Sequence, residues 1–282
     1  VGIADVDTAA PPLPGVDKLV VPSVEDLPAH DVAVLVTDIA SHDATCRRVG
    51  AEMLFVEKPL GLDGARSARI ARYLSETGQH VETGFFLRHS PAFSALTEAV
   101  RSGRLGAVRH LRMSYGHPGL LAGWLRNWPA HLDVQRMGGG PFTDLGVHLV
   151  DAARAIVGEL DVTGVDLNRP ASEGDVDVQG QIMLRGGGGE LVHVWASGVA
   201  PSVVQRVNVI CERGTLVLDA GRLEYREGDT REILHDVGMP TPASGFRSAL
   251  ERFRKGAEPL TRLQDAVAAS GLMDDVALMA NG

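Results

Sequence analysis

The segment Glu57-Lys58-Pro59 is the first motif in this 282-residue chain that could do chemistry. It directly follows the apolar run 51–56, which is typical of a buried strand. Ligands of open parallel sheets bind beyond the carboxyl ends of the strands, so Lys58 could direct its ammonium into such a crevice. A surface lysine beside a proline that ends the strand is the alternative.

A second motif lies in residues 138–151, which read Gly-Gly-Gly-Pro-Phe-Thr-Asp-Leu-Gly-Val-His-Leu-Val-Asp. Pro141 can occupy the first turn of a helix, and the glycines let backbone approach a ligand. Asp144 and His148 are four residues apart, so they share a helix face at about 6 Å. A carboxylate can orient an imidazole as a general base. A helix-capping aspartate with a half-buried histidine, or a metal site without an evident third ligand, are the alternatives.

The first residues, Val1-Gly2-Ile3-Ala4-Asp5, form a short apolar run that ends in a carboxylate. An acidic residue at the end of the second strand of a nucleotide-binding unit binds the adenosine ribose hydroxyls. Such a carboxylate would also repel a 2′-phosphate, so Asp5 favours NAD(H) over NADP(H). An aspartate that starts a turn is the alternative.

The order of the predicted helices and strands that must position these motifs changes near Gly84. Before it, strands alternate with helices, which predicts βαβ units and a parallel sheet. After it, one helix-rich stretch is followed by strands over 160–226, which predicts a large, mostly antiparallel open sheet in an α+β domain. The fold class is therefore α/β followed by α+β, with domains over 1–84 and 85–260 and a C-terminal helix over 261–282 that can return to the first domain.

The four glycines 186–189 could suggest a phosphate-binding loop, but they lie between two strand patterns. A phosphate cradle needs the N–H groups of a helix N-terminus. We therefore predict a hairpin turn here.

Composition narrows the classes of partner. Lys and Arg total 27 against 36 Asp and Glu, a net charge of −9, which argues against nucleic acid and anionic membranes as partners. No apolar run approaches the roughly 20 residues of a membrane helix. Only two cysteines occur, which fits a reducing compartment, and we expect a cytoplasmic protein.

These motifs, in this order, resemble those of the Gfo/Idh/MocA oxidoreductases, the glucose–fructose oxidoreductase and inositol dehydrogenase family. The resemblance extends over nearly all of the chain. It rests on the Asp5 strand end, residues 31–42 with their terminal histidine, Glu57-Lys58-Pro59, residues 84–91 with Arg88, and the segment 138–151.

The resemblance implies a Rossmann domain followed by a substrate domain, and NAD(H) or NADP(H) as cofactor in the oxidation or reduction of a sugar, nucleotide sugar or cyclitol. On that template Lys58 and His148 are catalytic, Asp144 helps to hold the substrate, and no metal is needed. The residues expected at the cofactor are Asp5, Thr37, His42, Glu57, Lys58 and Pro59.

Two departures from the family pattern stand out. The family's Thr-Pro is Thr37-Asp38 here, which places a carboxylate where the dinucleotide diphosphate would lie. No G-x-G-x-x-G precedes Asp5, so the first strand, turn and helix of the Rossmann unit are missing from the sequence. We expect them to precede Val1, because losing a central strand would leave apolar faces unpaired. A non-catalytic sugar-binding or scaffold relative with impaired dinucleotide binding is the alternative.

The loop over 115–136 is rich in arginine, histidine and aromatic residues, which suit a polyhydroxylated or partly anionic ligand. The two tryptophans could instead close a subunit contact, and Arg88 could instead form a structural ion pair. The residues expected at the substrate are Arg88, Tyr115, Trp124, Arg126 and Trp128.

The strands over 176–218 alternate only partly between apolar and polar residues, and an open sheet of this size needs a cover over one face. We therefore expect a homodimer or homotetramer that forms through the open sheet.

Overall fold

The computed structural model describes residues 2–4, 19–21, 23–127, 129–174 and 176–282. Its first part contains two short strands that pair in parallel, β1 (Gly2–Ala4) and β2 (Leu19–Val21). A second parallel sheet has the order β3-β4-β5. Its strands are β3 (Val32–Leu35), β4 (Met53–Val56) and β5 (His80–Thr83), and helices α1 (His42–Cys46) and α2 (Gly64–Glu76) connect them.

Strand β4 is buried along its whole length because helices cover both of its faces. On one face, Ile70 and Leu74 of α2 belong to the main core with Leu54 and Val56. The opposite face packs against helix α6 (Pro242–Arg254), where Phe246 meets Phe55 edge-to-face with ring centroids 5.4 Å apart. Helix α6, although it lies in the segment assigned by sequence to the second domain, therefore packs on the first sheet.

The C-terminal helix α7 (Leu263–Asn281) also packs on helix α2 of the first sheet. Ser67 Oγ donates to Ser270 Oγ at 2.9 Å, and the Gly64 N–H donates to Asp274 Oδ2 at 2.8 Å. These bonds join α7 to α2, and α7 also contacts α5 and β7 of the second part.

The second part is one eight-stranded sheet with the order β13-β12-β11-β10-β6-β9-β8-β7. Its strands β6 and β9 pair in parallel, and the other neighbours pair antiparallel. The predicted fold class is confirmed. The strands are β6 (Val108–Gly116), β7 (Leu160–Asn168), β8 (Gln179–Gly186), β9 (Leu191–Ser197), β10 (Val204–Cys211), β11 (Thr215–Asp219), β12 (Arg222–Glu227) and β13 (Thr230–Asp236).

Two details of this sheet bear on the sequence predictions. The Gly186 N–H donates to the Glu190 carbonyl at 2.9 Å where β8 turns into β9, which confirms the hairpin at the four glycines. Strand β13 was not predicted, because it is a largely exposed edge strand without a buried face that would impose alternation.

Three helices connect or cover these sheets: α3 (Pro91–Arg101), α4 (Val134–Met137) and α5 (Pro141–Val157). Helix α5 packs on β6 and β9, α3 packs on β11, β12 and β13, and α4 packs against the turn Ile39–Ser41. Helix α5 is buried on most sides, and Phe142, Leu145 and Leu149 join Leu111 and Val194 of the sheet in the main core. Among the described residues, no helix is long and apolar enough to cross a membrane.

Candidate active site

The Lys58 ammonium lies where the two parts of the chain meet. Strand β4 ends at Val56, and the next residues carry the lysine to the carboxyl edge of the parallel sheet, with a cis peptide between Lys58 and Pro59. Lys58 Nζ donates to the Asp144 carbonyl oxygen at 2.9 Å and also to Asp144 Oδ1. The lysine of the first motif and the aspartate of the second therefore form one ion pair.

The N-terminus of α5, which carries that aspartate, is held by Asp177. Its Oδ1 accepts from the N–H groups of Gly140 at 2.8 Å and Thr143 at 3.1 Å, and its Oδ2 accepts from Thr143 Oγ1 at 2.7 Å. A side-chain carbon on Gly140 would lie 2.8 Å from the Asp177 carbonyl oxygen, so only glycine permits this approach. The sequence analysis missed Asp177, whose only signal is an acidic residue within an apolar run.

His148 lies one helical turn beyond Asp144 and is only 3% exposed. Three rings surround its imidazole, with centroid distances of 4.7 Å to Phe86, 5.8 Å to Phe85 and 6.3 Å to Tyr115. Its Nδ1 is buried and has no hydrogen-bond partner among the described residues.

Burial and the nearby Lys58 charge set the protonation of this group. Burial first, and then Lys58, lower the pKa of His148 well below its ordinary value, against the opposing effect of Asp144. Burial raises the pKa of Asp144, but the charge and hydrogen bond of Lys58 outweigh it and keep that pKa below its usual value. The site therefore holds a neutral imidazole beside a carboxylate–ammonium pair at pH 7.

Thr37, Glu57 and Pro59 are three of the residues expected at the cofactor, and each follows a strand of the parallel sheet. Thr37 is exposed beyond the end of β3, and Glu57 lies against Gly84, where a side-chain carbon would come within 2.7 Å of Glu57 Oε2. Burial raises the pKa of Glu57, with the adjacent Lys58 charge opposing the rise. Pro59 is buried beside them, while Asp5 lies outside the described residues.

His42, the other residue expected at the cofactor, is 0% exposed. Its Nδ1 lies 3.2 Å from the Leu60 carbonyl oxygen and its Nε2 lies 3.3 Å from the Thr37 carbonyl oxygen. Burial lowers the pKa of His42. The side chain thus bridges the turns that follow β3 and β4 and has no free ring nitrogen for a ligand, so it can act on a cofactor only through those turns.

Of the residues expected at the substrate, Tyr115 lies beside His148, and Trp124 packs on a neighbouring histidine of its own loop. Tyr115 contacts the rings around His148, and burial raises the pKa of its phenol to about 12. Trp124 is half-exposed and lies 4.8 Å, centroid to centroid, from His117, which is a residue of the same loop. Burial lowers the pKa of His117, and the Asp144 charge opposes this lowering.

Arg88 and Arg126, the two arginines expected at the substrate, form ion pairs with carboxylates of the protein. Arg88 donates to both carboxylate oxygens of the buried Asp151, at 2.8 and 2.7 Å, and pairs with Asp265. Arg126 donates to the Leu120 carbonyl at 2.7 Å and pairs with Glu173. For Arg88 the structure supports the alternative of a structural ion pair, because its guanidinium joins the turn Phe86–His89 to α5 and α7. Trp128 lies outside the described residues.

Within the described ranges, no three His, Cys, Asp or Glu side chains are grouped as metal ligands would be. Asp144 and His148 are the pair for which a metal site was the alternative, and the position beside the carboxylate is held by the Lys58 ammonium.

Comparison with known proteins agrees with this geometry. Residues 93–217 match the family model of the GFO/IDH/MocA C-terminal domain. The chain is 26% identical over 277 residues to inositol 2-dehydrogenase of Rhizobium meliloti, a match that covers 92% of this chain and 81% of the relative.

Two solved structures share the fold. A 3-ketoreductase from Actinomadura kijaniata, in complex with TDP-benzene and NADP, superposes with a TM-score of 0.74 at 20% identity, over 88% of this chain and 78% of that one. An inositol dehydrogenase homologue from Azotobacter vinelandii, complexed with NAD+, gives a TM-score of 0.73 at 16% identity, over 89% and 76%. The family model over residues 93–217, the inositol 2-dehydrogenase relative and the motifs around Lys58 and His148 support a Gfo/Idh/MocA oxidoreductase.

Proposed function

We propose that this protein transfers a hydride between a nicotinamide dinucleotide and a secondary alcohol or ketone of a sugar, nucleotide sugar or cyclitol. The similarity to inositol dehydrogenases supports an NAD(P)-dependent oxidoreductase that acts on CH–OH groups. The observation that supports the assignment of its site is the ion pair of Lys58 with Asp144, one helical turn from a neutral, buried His148.

The residues present fit the reactive end of such a dinucleotide. Thr37, Glu57 and Lys58 follow the carboxyl ends of neighbouring parallel strands, where ligands of open sheets bind. Gly84, directly after β5, leaves space beside Glu57 that any side chain would fill. When bound, the nicotinamide accepts or supplies the hydride.

Lys58 is suited to orient the substrate oxygen. An ammonium has three N–H donors, and two of them are used by the Asp144 carbonyl and carboxylate. The third has no acceptor among the described residues and can bind the oxygen of a carbinol or ketone, where a positive charge stabilises the oxyanion that develops as the C–H bond breaks. Asp144 fixes the direction of that donor, and thereby holds the substrate oxygen through Lys58.

His148 is suited to move the hydroxyl proton. In the oxidation direction its neutral imidazole accepts the proton, and in the reduction direction its protonated form returns it. The rings of Phe85 and Phe86 exclude water from one side of the imidazole. Tyr115 lies beside His148, and His117 and Trp124 stack in the loop that follows it. Hydroxyl, imidazole and indole groups together suit a polyhydroxylated ring.

For the cofactor, we infer a preference for NAD(H) over NADP(H). The proposal rests on the sequence position of Asp5 at the end of an apolar run, where its charge would repel a 2′-phosphate. The similar proteins bind either form, since one solved structure contains NADP and another contains NAD+.

One experiment tests the proposed function. The purified full chain is incubated with a panel of sugars, nucleotide sugars and cyclitols and either cofactor, and the change in NAD(P)H absorbance is followed. Turnover of at least one compound, with a lower KM for the NAD than for the NADP form, is the expected result. Absence of turnover across the panel, with no binding of NADH or NADPH by fluorescence titration, would reject it.

A further inference from the structure

An ion pair joins the first sheet to the segment that leads into α5. Arg136, on α4, donates from Nε to Asp38 Oδ2 at 2.8 Å and also from its terminal nitrogen to the same oxygen. Asp38 is the residue that stands where the family has a proline. Helix α4 packs against the turn Ile39–Ser41, so the pair lies within a contact between the two parts of the chain.

The backbone of Asp38 keeps the shape that a proline would impose. Its φ is −57° and its ψ is 142°, and a proline ring fixes φ near −65°. Its carbonyl accepts from the Ser41 N–H at 2.9 Å and from Ser41 Oγ at 2.8 Å. The turn therefore holds its conformation without a proline, and the difference that remains is the charge of the carboxylate.

That charge lies in an unfavourable place for an anionic ligand. Asp38 follows the exposed Thr37 at the carboxyl edge of the parallel sheet, where a dinucleotide and its phosphates would approach. Two negative groups a few ångströms apart repel each other, most strongly where protein limits the access of solvent. A guanidinium bound to the carboxylate cancels this repulsion.

We propose that Arg136 is a positioning residue for the dinucleotide: it neutralises Asp38 at the cofactor edge and holds the turn open for an anionic ligand. The inference rests on the proposed function, since it requires that a dinucleotide binds at this edge. This role can be distinguished from a direct contact of Arg136 with the phosphates. If Arg136 acts by neutralising Asp38, the loss of dinucleotide affinity on removing Arg136 should disappear when Asp38 loses its charge as well.

The test is a double-mutant cycle read by dinucleotide affinity. NADH and NADPH are titrated by fluorescence into the wild-type chain, Arg136→Met, Asp38→Asn and the double variant. We expect Arg136→Met to weaken binding by about fivefold or more, and less so at 0.5 M salt, because the unpaired carboxylate is then screened. The double variant is expected to bind within about twofold of wild type, and Asp38→Asn at least as tightly as wild type.

Two further variants complete the design. Arg109→Met removes an exposed arginine that pairs with Glu212 elsewhere in the second part, and its affinity should equal that of wild type. Asp38→Pro, which the φ of −57° permits, should restore binding in the Arg136→Met background as Asp38→Asn does.

The outcomes separate the two proposals. A double variant as weak as Arg136→Met, or an Arg136→Met that binds like wild type, would overturn this inference and leave the proposed function intact. A wild-type chain that binds neither dinucleotide would overturn both.

Discussion

The Lys58 ammonium donates hydrogen bonds to both the carbonyl oxygen and the carboxylate of Asp144, a residue 86 positions later in the chain. One contact thereby joins the end of strand β4 to the helix that carries His148. Because the third N–H donor of the lysine has no partner in the part of the chain that the structure describes, the pair can hold a substrate oxygen at a fixed place relative to the imidazole.

The first prediction concerns that pair. Replacing Lys58 or His148 with alanine should lower turnover by roughly 100-fold or more, because each removes a proton-transfer or oxyanion-stabilising group. Steady-state kinetics measure the loss, and circular dichroism checks that the fold is intact. Lys255→Ala is the matched control, since Lys255 is exposed at the end of α6. Variants of Lys58 and His148 that turn over like wild type would remove both residues from the mechanism.

The second prediction concerns pH. His148 acts as a base only when neutral, and burial together with Lys58 lowers its pKa. The acidic limb of kcat/KM for oxidation should therefore lie below pH 6.5, the ordinary pKa of histidine. Removing the lysine charge removes one cause of the lowered pKa of His148. The acidic limb of the residual activity of Lys58→Met should therefore lie at a higher pH than that of wild type.

The pH profile of Lys255→Met provides the reference for this shift, because that variant removes a positive charge remote from His148. An acidic limb at the same pH in wild type and Lys58→Met would show that His148 is not the titrating base.

The third prediction concerns the cap of α5. Asp177→Ala deletes the acceptor of three hydrogen bonds from Gly140 and Thr143, and we expect it to lower the free energy of unfolding by about 1–3 kcal/mol. It should also lower kcat, because Asp144 and His148 lie on the helix that it fixes. Urea denaturation and steady-state kinetics measure the two effects.

Asp63→Ala offers a matched control for the cap, since Asp63 accepts from the Arg66 N–H at the start of α2, a helix that carries neither Asp144 nor His148. It should lower stability by about 1 kcal/mol and leave kcat unchanged. If Asp177→Ala behaves like Asp63→Ala in both measurements, the cap has no part in placing the site.

The site was predictable from sequence to the extent that local geometry determines it. Asp144 and His148 share a face because a helix brings residues four apart together, and Lys58 lies at the sheet edge because it follows a buried strand. Asp177 could not be predicted, because it reaches α5 from 34 positions away and only the packed fold brings the two segments together.

Contacts between distant segments also decide the roles of two arginines, which the sequence left open. Arg88 and Arg126 have the chemistry of ligand-binding residues, and only their partners, Asp151 and Glu173, show that both guanidinium groups are occupied. Strand β13 was missed because an exposed edge strand has no buried face to produce alternation.

The fourth prediction separates the two interpretations of Arg88. Burial raises the pKa of Asp151 to about 6, with Arg88 opposing the rise, so Arg88→Met leaves a buried carboxylate without its partner. We expect a loss of about 3–5 kcal/mol in unfolding free energy at pH 8. The loss should be smaller at pH 5, because protonation then removes the buried charge.

The double variant Arg88→Met/Asp151→Asn lacks both charges of this pair and should be more stable than Arg88→Met at pH 8, as urea denaturation can measure. If Arg88→Met instead keeps wild-type stability and raises only the KM for substrate, Arg88 binds the substrate after all.

The last prediction concerns the outer face of the large sheet. Met183, Leu191, Ile210 and Ile233 point to the same side of four strands and are 55%, 50%, 44% and 53% exposed. Apolar side chains spread over one open face favour association with a second copy of the chain. We expect light scattering to give the mass of a dimer or tetramer, and Met183→Glu/Ile210→Glu to reduce it to that of a monomer. Leu278→Glu alters an equally apolar residue that is 72% exposed on α7 and should leave the mass unchanged. A wild-type chain with the mass of a monomer would contradict the prediction, because the face would then be open to solvent.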